Sequence, residues 1–296
     1  YYFFGLKGIV PALIVSAVIV FIVFKFFTKN IEIARFNFTK TELFHKIKAM
    51  LSLGATMSVT SMIVALTGLL IQIFIRTTDG LEAVGFYSAG FLIVNAYVGM
   101  IFTAMSTDYF PRLAAINTDN KKMNVAVNQQ ADVAILMITP LIILFLTFAP
   151  FIVELLYSSK FNVIIGFVTF GVLGTFFKAV SFSLGYVIIA KGHSKVFITL
   201  SIIFNSVFLI ICIFSYKIGG LTGLGIGFLV YYSLHLIVLK ILTNYLYQIR
   251  LTKAFYRTFL VCAIICGCCF MATLVESLYL RYLLMFVFVV FSFLYT

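Results

Sequence analysis

Long apolar stretches alternate with short polar segments along almost the whole 296-residue chain. Nine apolar runs stand out, each close to or above the roughly 20 residues that a helix needs to cross a bilayer. Apolar and polar positions do not alternate as in strands, which disfavours a transmembrane β-barrel. The pattern therefore predicts an all-α fold, a polytopic transmembrane helical bundle of about nine spans. The runs cover residues 6–28, 49–75, 83–106, 131–156, 161–190, 195–216, 219–246, 256–275 and 279–296.

Composition supports a membrane protein rather than a soluble one. Hydrophobic residues make up 63% of the chain, charged residues 10%, and the mean hydropathy is +1.17, far from the composition of soluble domains. All five cysteines lie in apolar runs with no His or carboxylate beside them. We therefore expect packed thiols, with no metal site, no disulfide and no cofactor.

The basic residues predict an orientation, because cytoplasmic loops carry an excess of Lys and Arg. Alternate loops hold 14 and five of these cations, which places residue 1 in the periplasm and Thr296 in the cytoplasm. The net charge of +12 is thus a topology signal, and no nucleic-acid partner is expected. The cytoplasmic set is Lys25, Lys29, Arg35, Lys40, Lys46, Lys48, Arg112, Lys121, Lys122, Lys191, Lys195, Arg250, Lys253 and Arg257.

The loops predicted on the outer side are short, the longest lying near Arg76 to Glu82. Membrane glycosyltransferases and polysaccharide polymerases place catalytic groups on sizeable external loops, so an enzyme is disfavoured. The longest polar stretch, residues 29–48, mixes Lys with Phe and Leu, as an amphipathic segment on an anionic leaflet does. We interpret it as a cytoplasmic linker between two lobes.

Several short segments occur in an order typical of one family. They are Gly-Phe-Tyr-Ser-Ala-Gly at 85–90, Tyr-Phe-Pro-Arg-Leu at 109–113, Asn-Gln-Gln at 128–130, APFIVELLY at 149–157 and LGYVIIAKGHS at 184–194. With these segments, residues 49–246 resemble the bacterial O-antigen flippases of the multidrug, oligosaccharidyl-lipid and polysaccharide exporter superfamily.

The resemblance implies two six-helix lobes around a central cavity that opens alternately to each side. On that plan residues 1–28 contain the last helix of the first lobe, residues 49–246 form the six-helix second lobe, and residues 256–296 add two helices. The chain starts without Met and in an apolar segment, so we expect it to be the carboxy-terminal part of a longer protein.

The function that the resemblance implies is translocation of an undecaprenyl-pyrophosphate-linked oligosaccharide across the bacterial inner membrane. The partners implied are this lipid-linked substrate and membrane lipids. Coupling to a proton or sodium ion, and cooperation with a polysaccharide polymerase, stay open.

A pyrophosphate has to be neutralised inside the membrane, so cations within the spans are the first candidates for its binding. Lys178 lies in mid-span between Phe177 and Ala179, where a charge is costly and faces a cavity or a partner. Internal pairing or a snorkelled side chain is the structural alternative. For Lys240 snorkelling is favoured, and for His235 simple helix packing.

Other polar residues are weaker candidates. Gln72 and Arg76, spaced i,i+4, share a helix face near the outer end and are either substrate contacts or interfacial anchors. Asp79 and Glu82 are candidates for gating or for pairing with Arg76. Asp108 and Arg112 are candidates for an ion pair at the inner end of the helix, beside Pro111. Four neutral polar residues either line a path for sugars or mediate helix packing, namely Asn95, Asn128, Gln129 and Asn205.

Three alternatives remain at the level of the sequence. A peptidoglycan-precursor flippase or a drug/cation antiporter belongs to the same superfamily, and an antiporter would favour cavity carboxylates, which the runs lack in mid-span. A membrane polymerase or glycosyltransferase would need long outer loops. A non-transporting scaffold predicts that the intramembrane polar groups pair off and leave no central cleft.

Overall fold

The computed structural model describes residues 8–29, 40–97, 99–275 and 277–296, and the regular structure of this part of the chain is entirely helical. The predicted all-α fold class is confirmed. The helices are α1 Ile9–Thr28, α2 Lys40–Leu92, α3 Met100–Ala115, α4 Asn120–Leu156, α5 Ile165–Ala190, α6 Ser194–Tyr247, α7 Lys253–Thr273 and α8 Leu278–Tyr295. A π-helical segment, Ile93–Tyr97, follows α2, and a 3-10 segment, Ser159–Ile164, precedes α5.

The two longest helices are interrupted where the sequence predicts turns. In α2, Gly80 has φ 87°, and in α6 Gly220 has φ 56° next to Gly219. Both positive values lie in the left-handed region, which glycine adopts without the steric penalty of a Cβ. Helix α6 therefore contains two of the predicted apolar runs, one on either side of its glycines. Helix α2 contains the run 49–75 before Gly80 and the first part of the run 83–106 after it, and that second run continues into α3.

The two halves of α6 form an antiparallel hairpin. Phe204 packs against His235 with ring centroids 4.3 Å apart, and Phe208 packs against Tyr231 at 4.7 Å. Residue numbers rise along one half as they fall along the other, so the chain reverses at Gly219 and Gly220. Residues that are equally far in sequence from this turn on its two sides consequently lie at about the same depth.

Membrane crossing follows from helix length and composition. In the described ranges six helices are long and apolar enough to span a bilayer, and α8 is a shorter apolar helix. Two of the six contain the glycine interruptions described above. The chain is therefore a multi-pass membrane protein, while the predicted orientation stays a prediction.

The chain divides into two compact units, Tyr1–Ala49 and Met50–Thr296. In the first unit α1 is apolar and exposed along its length. Residues 30–39 of the predicted linker, and residues 1–7, lie outside the described ranges, whereas Lys40 to Lys48 belong to the start of α2. The assignment of lobes and linker stays a prediction.

Helix α5 is the centre of the second unit. It packs against α3, α4 and α6, and Phe176 on α5 also contacts Phe259 on α7, with ring centroids 5.0 Å apart. Helices α7 and α8 pack against α4 and against each other. Fully buried side chains such as Phe167, Val172 and Val180 lie on α5. The helix that carries Lys178 is thus positioned by neighbours on several sides.

Close packing of α5 and α6 depends on glycine. A Cβ on Gly225 would lie 2.7 Å from the Phe167 carbonyl oxygen and 2.9 Å from the Phe167 Cα. A Cβ on Gly174 would lie 3.2 Å from the Leu229 Cα. Small residues at such contacts let helix backbones approach within a membrane, where dispersion contacts hold helices together.

We predict that Gly225→Ala destabilises the protein by about 1–3 kcal/mol, because the added methyl group meets backbone atoms of α5 that cannot rotate away. Equilibrium unfolding in mixed micelles measures the change. Gly267→Ala is the matched control, since Gly267 lies in α7 with open space around its Cβ position. Equal stability of the two variants would contradict close α5–α6 packing.

Candidate functional site

Lys178 lies deep in the apolar part of α5. With a rise of 1.5 Å per residue, its Cα is about 18 Å from the nearer end of the helix. The hydrocarbon core of a bilayer is only about 30 Å thick. An ammonium group at this position cannot rely on bulk water and needs partners within the protein.

Those partners are neutral. The Lys178 ammonium donates a hydrogen bond of 3.1 Å to the Asn95 side-chain oxygen. It also lies 5.7 Å from the Phe102 ring centroid and 5.2 Å from that of Tyr232, within the range of cation–π attraction. The ion pairs of the described residues involve other cations. Lys178 is therefore held by dipoles and ring faces, which leave its positive charge uncompensated.

The backbone around Asn95 is unusual. Asn95 lies in the π-helical segment Ile93–Tyr97, a kind of helix that occurs mostly as single turns and often at functional sites. A Cβ on Gly99 would collide with the Asn95 carbonyl oxygen. The wide turn and the glycine together let the Asn95 amide face α5.

A cavity of about 320 Å³ adjoins Lys178 between α5 and the two halves of α6. Its apolar walls include Phe182, Leu200 and Leu239. Eight side chains with polar groups also line it, namely Lys178, Ser181, Tyr186, Ser201, Asn205, Tyr231, Tyr232 and His235. A cavity with apolar walls and several polar side chains next to a mid-membrane cation is suited to an anionic ligand that carries hydroxyl groups.

Two of these side chains have polar atoms that form no hydrogen bond within the described part of the chain. The Nδ1 atom of His235 is buried and has no hydrogen-bond partner among the described residues. Asn205 donates its amide to the Ser201 carbonyl at 2.8 Å, an intrahelical bond that uses only its nitrogen. The sequence favoured packing for His235, and its ring does pack on Phe204, yet the imidazole also lines the cavity.

Comparison with known proteins identifies the family to which the chain belongs. Residues 1–166, more than half of the chain, match the family model described as polysaccharide biosynthesis protein. The chain belongs to the polysaccharide biosynthesis protein family. Neither a curated protein nor a solved structure matches it.

The family match covers two of the three groups that contact Lys178 and none of the residues that line the cavity. Asn95 and Phe102 lie within residues 1–166, whereas Lys178, Asn205 and His235 lie beyond them. Membership therefore relates the chain to polysaccharide biosynthesis, and a role of the cavity in substrate binding stays a prediction.

The other predicted substrate contacts lie elsewhere. Gln72 and Arg76 are exposed on α2 and do not line the Lys178 cavity. Asp79 accepts a hydrogen bond of 2.7 Å from the Tyr216 hydroxyl, and Glu82 pairs with Lys160 at 2.7 Å. The acids thus contact α6 and the 3-10 segment, instead of the suggested partner Arg76.

Asp108 and Arg112 form the i,i+4 ion pair that the sequence suggested, with an N–O distance of 3.6 Å. Arg112 also donates to the Gln130 side-chain oxygen at 3.3 Å, which connects α3 to α4. Both partners of the ion pair are largely exposed, so its contribution to stability is small. A gating role for the pair stays a prediction.

Sequence inspection missed Asp132, which it placed at the edge of an apolar run. Helix α4 begins at Asn120, since the Asp119 side chain accepts hydrogen bonds from the Lys121 and Lys122 amides. Asp132 therefore lies about 18 Å into the helix, and its buried Oδ1 has no partner within the described part of the chain. It is absent from the residues that line the Lys178 cavity.

Asn128 connects two parts of the chain, which accounts for one of the predicted sugar-path residues. Its amide nitrogen donates to the Arg250 carbonyl at 2.9 Å, and its oxygen accepts from the Thr252 amide at 2.8 Å. Asn124 accepts from the Arg250 amide at 2.7 Å. Together they fasten the α6–α7 loop to α4, so the packing alternative holds for Asn128, whereas neighbouring Gln129 is exposed.

We predict that Asn128→Ala lowers the free energy of unfolding by about 1–3 kcal/mol, because it leaves backbone groups of the loop without partners. Unfolding of the purified protein in mixed micelles tests this. Gln129→Ala, the matched control, should change stability by less than about 0.5 kcal/mol. An equal loss in both variants would mean that the loop is not held by Asn128.

Proposed function

We propose that this family member is a flippase that moves an undecaprenyl-pyrophosphate-linked oligosaccharide from the cytoplasmic to the periplasmic leaflet of the bacterial inner membrane. The observation that carries the proposal is the uncompensated charge of Lys178 beside a mid-membrane cavity whose apolar walls also carry several polar side chains. The membership in a polysaccharide biosynthesis family supports the substrate class.

The chemistry of the substrate fits the cavity in two respects. A pyrophosphate is an anion that needs a cation inside the membrane, and the Lys178 ammonium can exchange its neutral partner Asn95 for phosphate oxygens. Sugar hydroxyls need donors and acceptors, which Asn205, Tyr231 and His235 supply. Binding and release without bond making is all that such a transporter requires, so we propose no enzymatic activity.

The cavity of about 320 Å³ is too small for a whole oligosaccharide of several rings. It matches a pyrophosphate with the first sugar, which are the groups that stay constant as repeat units lengthen. We infer that the remainder of the substrate extends beyond this cavity. Whether a proton or sodium ion drives the cycle is left open.

A drug/cation antiporter is the second candidate from the sequence, and the cavity argues against it. Such a protein binds cations and is served by carboxylates, whereas the described lining of the cavity contains a lysine and neutral groups. The half-buried Asp132 lies on α4, outside that lining.

We predict that Lys178→Gln abolishes most surface polysaccharide in a strain of the source bacterium that lacks its own copy of the gene. A charge-assisted hydrogen bond to the anion contributes about 1.5–3 kcal/mol, so transport should fall by roughly tenfold to a hundredfold. Lys178→Arg should retain part of the activity because it keeps the charge. Polysaccharide is quantified alongside the amount of inserted protein.

Lys217→Gln is the matched control for this experiment. Lys217 is an exposed cation 5.9 Å from the Phe74 ring centroid, outside the cavity, and its loss should leave transport unchanged. Unaltered polysaccharide in Lys178→Gln at normal protein level would refute anion binding by Lys178.

A second variant separates the flippase from the antiporter. Asn205→Asp adds a carboxylate to the same cavity, where it can neutralise Lys178 and repel phosphate. We predict at least a tenfold loss of polysaccharide export for Asn205→Asp, and a much smaller effect for the uncharged Asn205→Gln. An antiporter would instead gain cation efflux in Asn205→Asp, which uptake assays in vesicles detect.

A further inference from the structure

A second cavity, of about 220 Å³, lies between α5, the end of α6 and the start of α7. Its walls are largely apolar, and Phe177, Leu236 and Phe259 contribute to them. One cation, Lys240, lines it together with the polar groups of Ser233 and Tyr256. The cavity is distinct from the Lys178 site because it uses a different face of α6.

Lys240 is placed near the membrane surface rather than at mid-depth. It precedes the end of α6 at Tyr247 by seven residues, which is about 10 Å along the helix axis. Its ammonium lies 4.8 Å from the Tyr256 ring centroid on α7, and its side chain is exposed. The cation is thus held at the rim by a cation–π contact that leaves its N–H groups available.

The surroundings of the rim are strongly basic. Residues 240–257 contain Lys240, Arg250, Lys253 and Arg257 and no Asp or Glu. Arg250 is used within the loop, where it donates to the Asn244 side chain at 2.8 Å. Lys240, Lys253 and Arg257 remain as exposed cations near this end of α6 and α7.

We propose that this cavity binds an anionic phospholipid, with its phosphate at Lys240 and an acyl chain against Phe177, Leu236 and Phe259. Basic pockets between transmembrane helices on the cytoplasmic side recognise anionic headgroups. The combination of apolar walls with a cation at the rim matches a molecule that is apolar at one end and anionic at the other. A soluble phosphate would use the cation and leave the walls empty. This site is independent of the transport activity proposed above.

The absence of tryptophan from the sequence permits a direct test. In Phe259→Trp the single indole lies in the cavity, and its fluorescence is quenched by contact with brominated acyl chains. The full chain is reconstituted in vesicles in which either the phosphatidylglycerol or the phosphatidylcholine fraction is brominated, at equal mole fractions. Phe286→Trp on α8, where the native ring is exposed, reports the bulk lipid.

We predict that phosphatidylglycerol is favoured about fivefold over phosphatidylcholine at Phe259→Trp, which corresponds to one cation at the surface. No preference is expected at Phe286→Trp. Lys240→Gln should abolish the preference and Lys240→Arg should keep it, with circular dichroism and the Phe286→Trp signal confirming that both variants fold.

Three results would overturn the proposal. Equal quenching by the two lipids at Phe259→Trp would exclude a selective site. A preference that survives Lys240→Gln would exclude Lys240 as the headgroup contact. Loss of the preference on addition of soluble glycerol phosphate would identify a soluble anion, instead of a lipid, as the ligand.

Discussion

A positive charge in the middle of a membrane requires partners that are fixed before any ligand arrives. The protein meets this requirement at Lys178 with one amide oxygen and two aromatic faces. Because these groups come from the π-helical segment, α3 and α6, all three have to be held at a defined distance from α5. The glycine contacts between α5 and α6 supply part of that fixed distance. Neutral partners also weaken the positive charge less than a carboxylate would, so stability of the empty site and attraction for an anion are compatible.

Much of the fold could be predicted from the sequence because a bilayer limits the possibilities. Every backbone polar group in hydrocarbon must be paired within the protein, so long apolar runs become helices. The turn at Gly219 and Gly220 was visible as a glycine cluster between two such runs. The true start of α4 was not visible, because its first turns are polar and hydropathy alone assigns polar residues to a loop. In the structure Asp119 caps these turns.

The candidate site was only partly predictable. Lys178 was identifiable because an isolated cation in an apolar run is expensive and rare. Its partner Asn95 is 83 residues away in sequence. His235 reaches the cavity wall only because α6 folds into a hairpin. Neither position follows from the local sequence pattern. Asn128 shows a different limit of prediction from sequence, because its residue type does not reveal its role. The same residue type can line a path or fasten a loop, and only the positions of Arg250 and Thr252 distinguish the two roles.

The hairpin of α6 has a consequence for how such a protein can diversify. Its two halves are one contiguous stretch of 54 residues, and they carry Ser201, Asn205, Tyr231, Tyr232 and His235 of the cavity wall. Most of the polar side chains of the cavity are therefore encoded in a single contiguous segment, while Lys178 lies on α5. For the function proposed above, recombination within one short stretch of the gene would replace the wall that we propose to face the sugar and keep the proposed anion contact at Lys178. The variable and the constant part of the substrate would then be separated at the level of the gene.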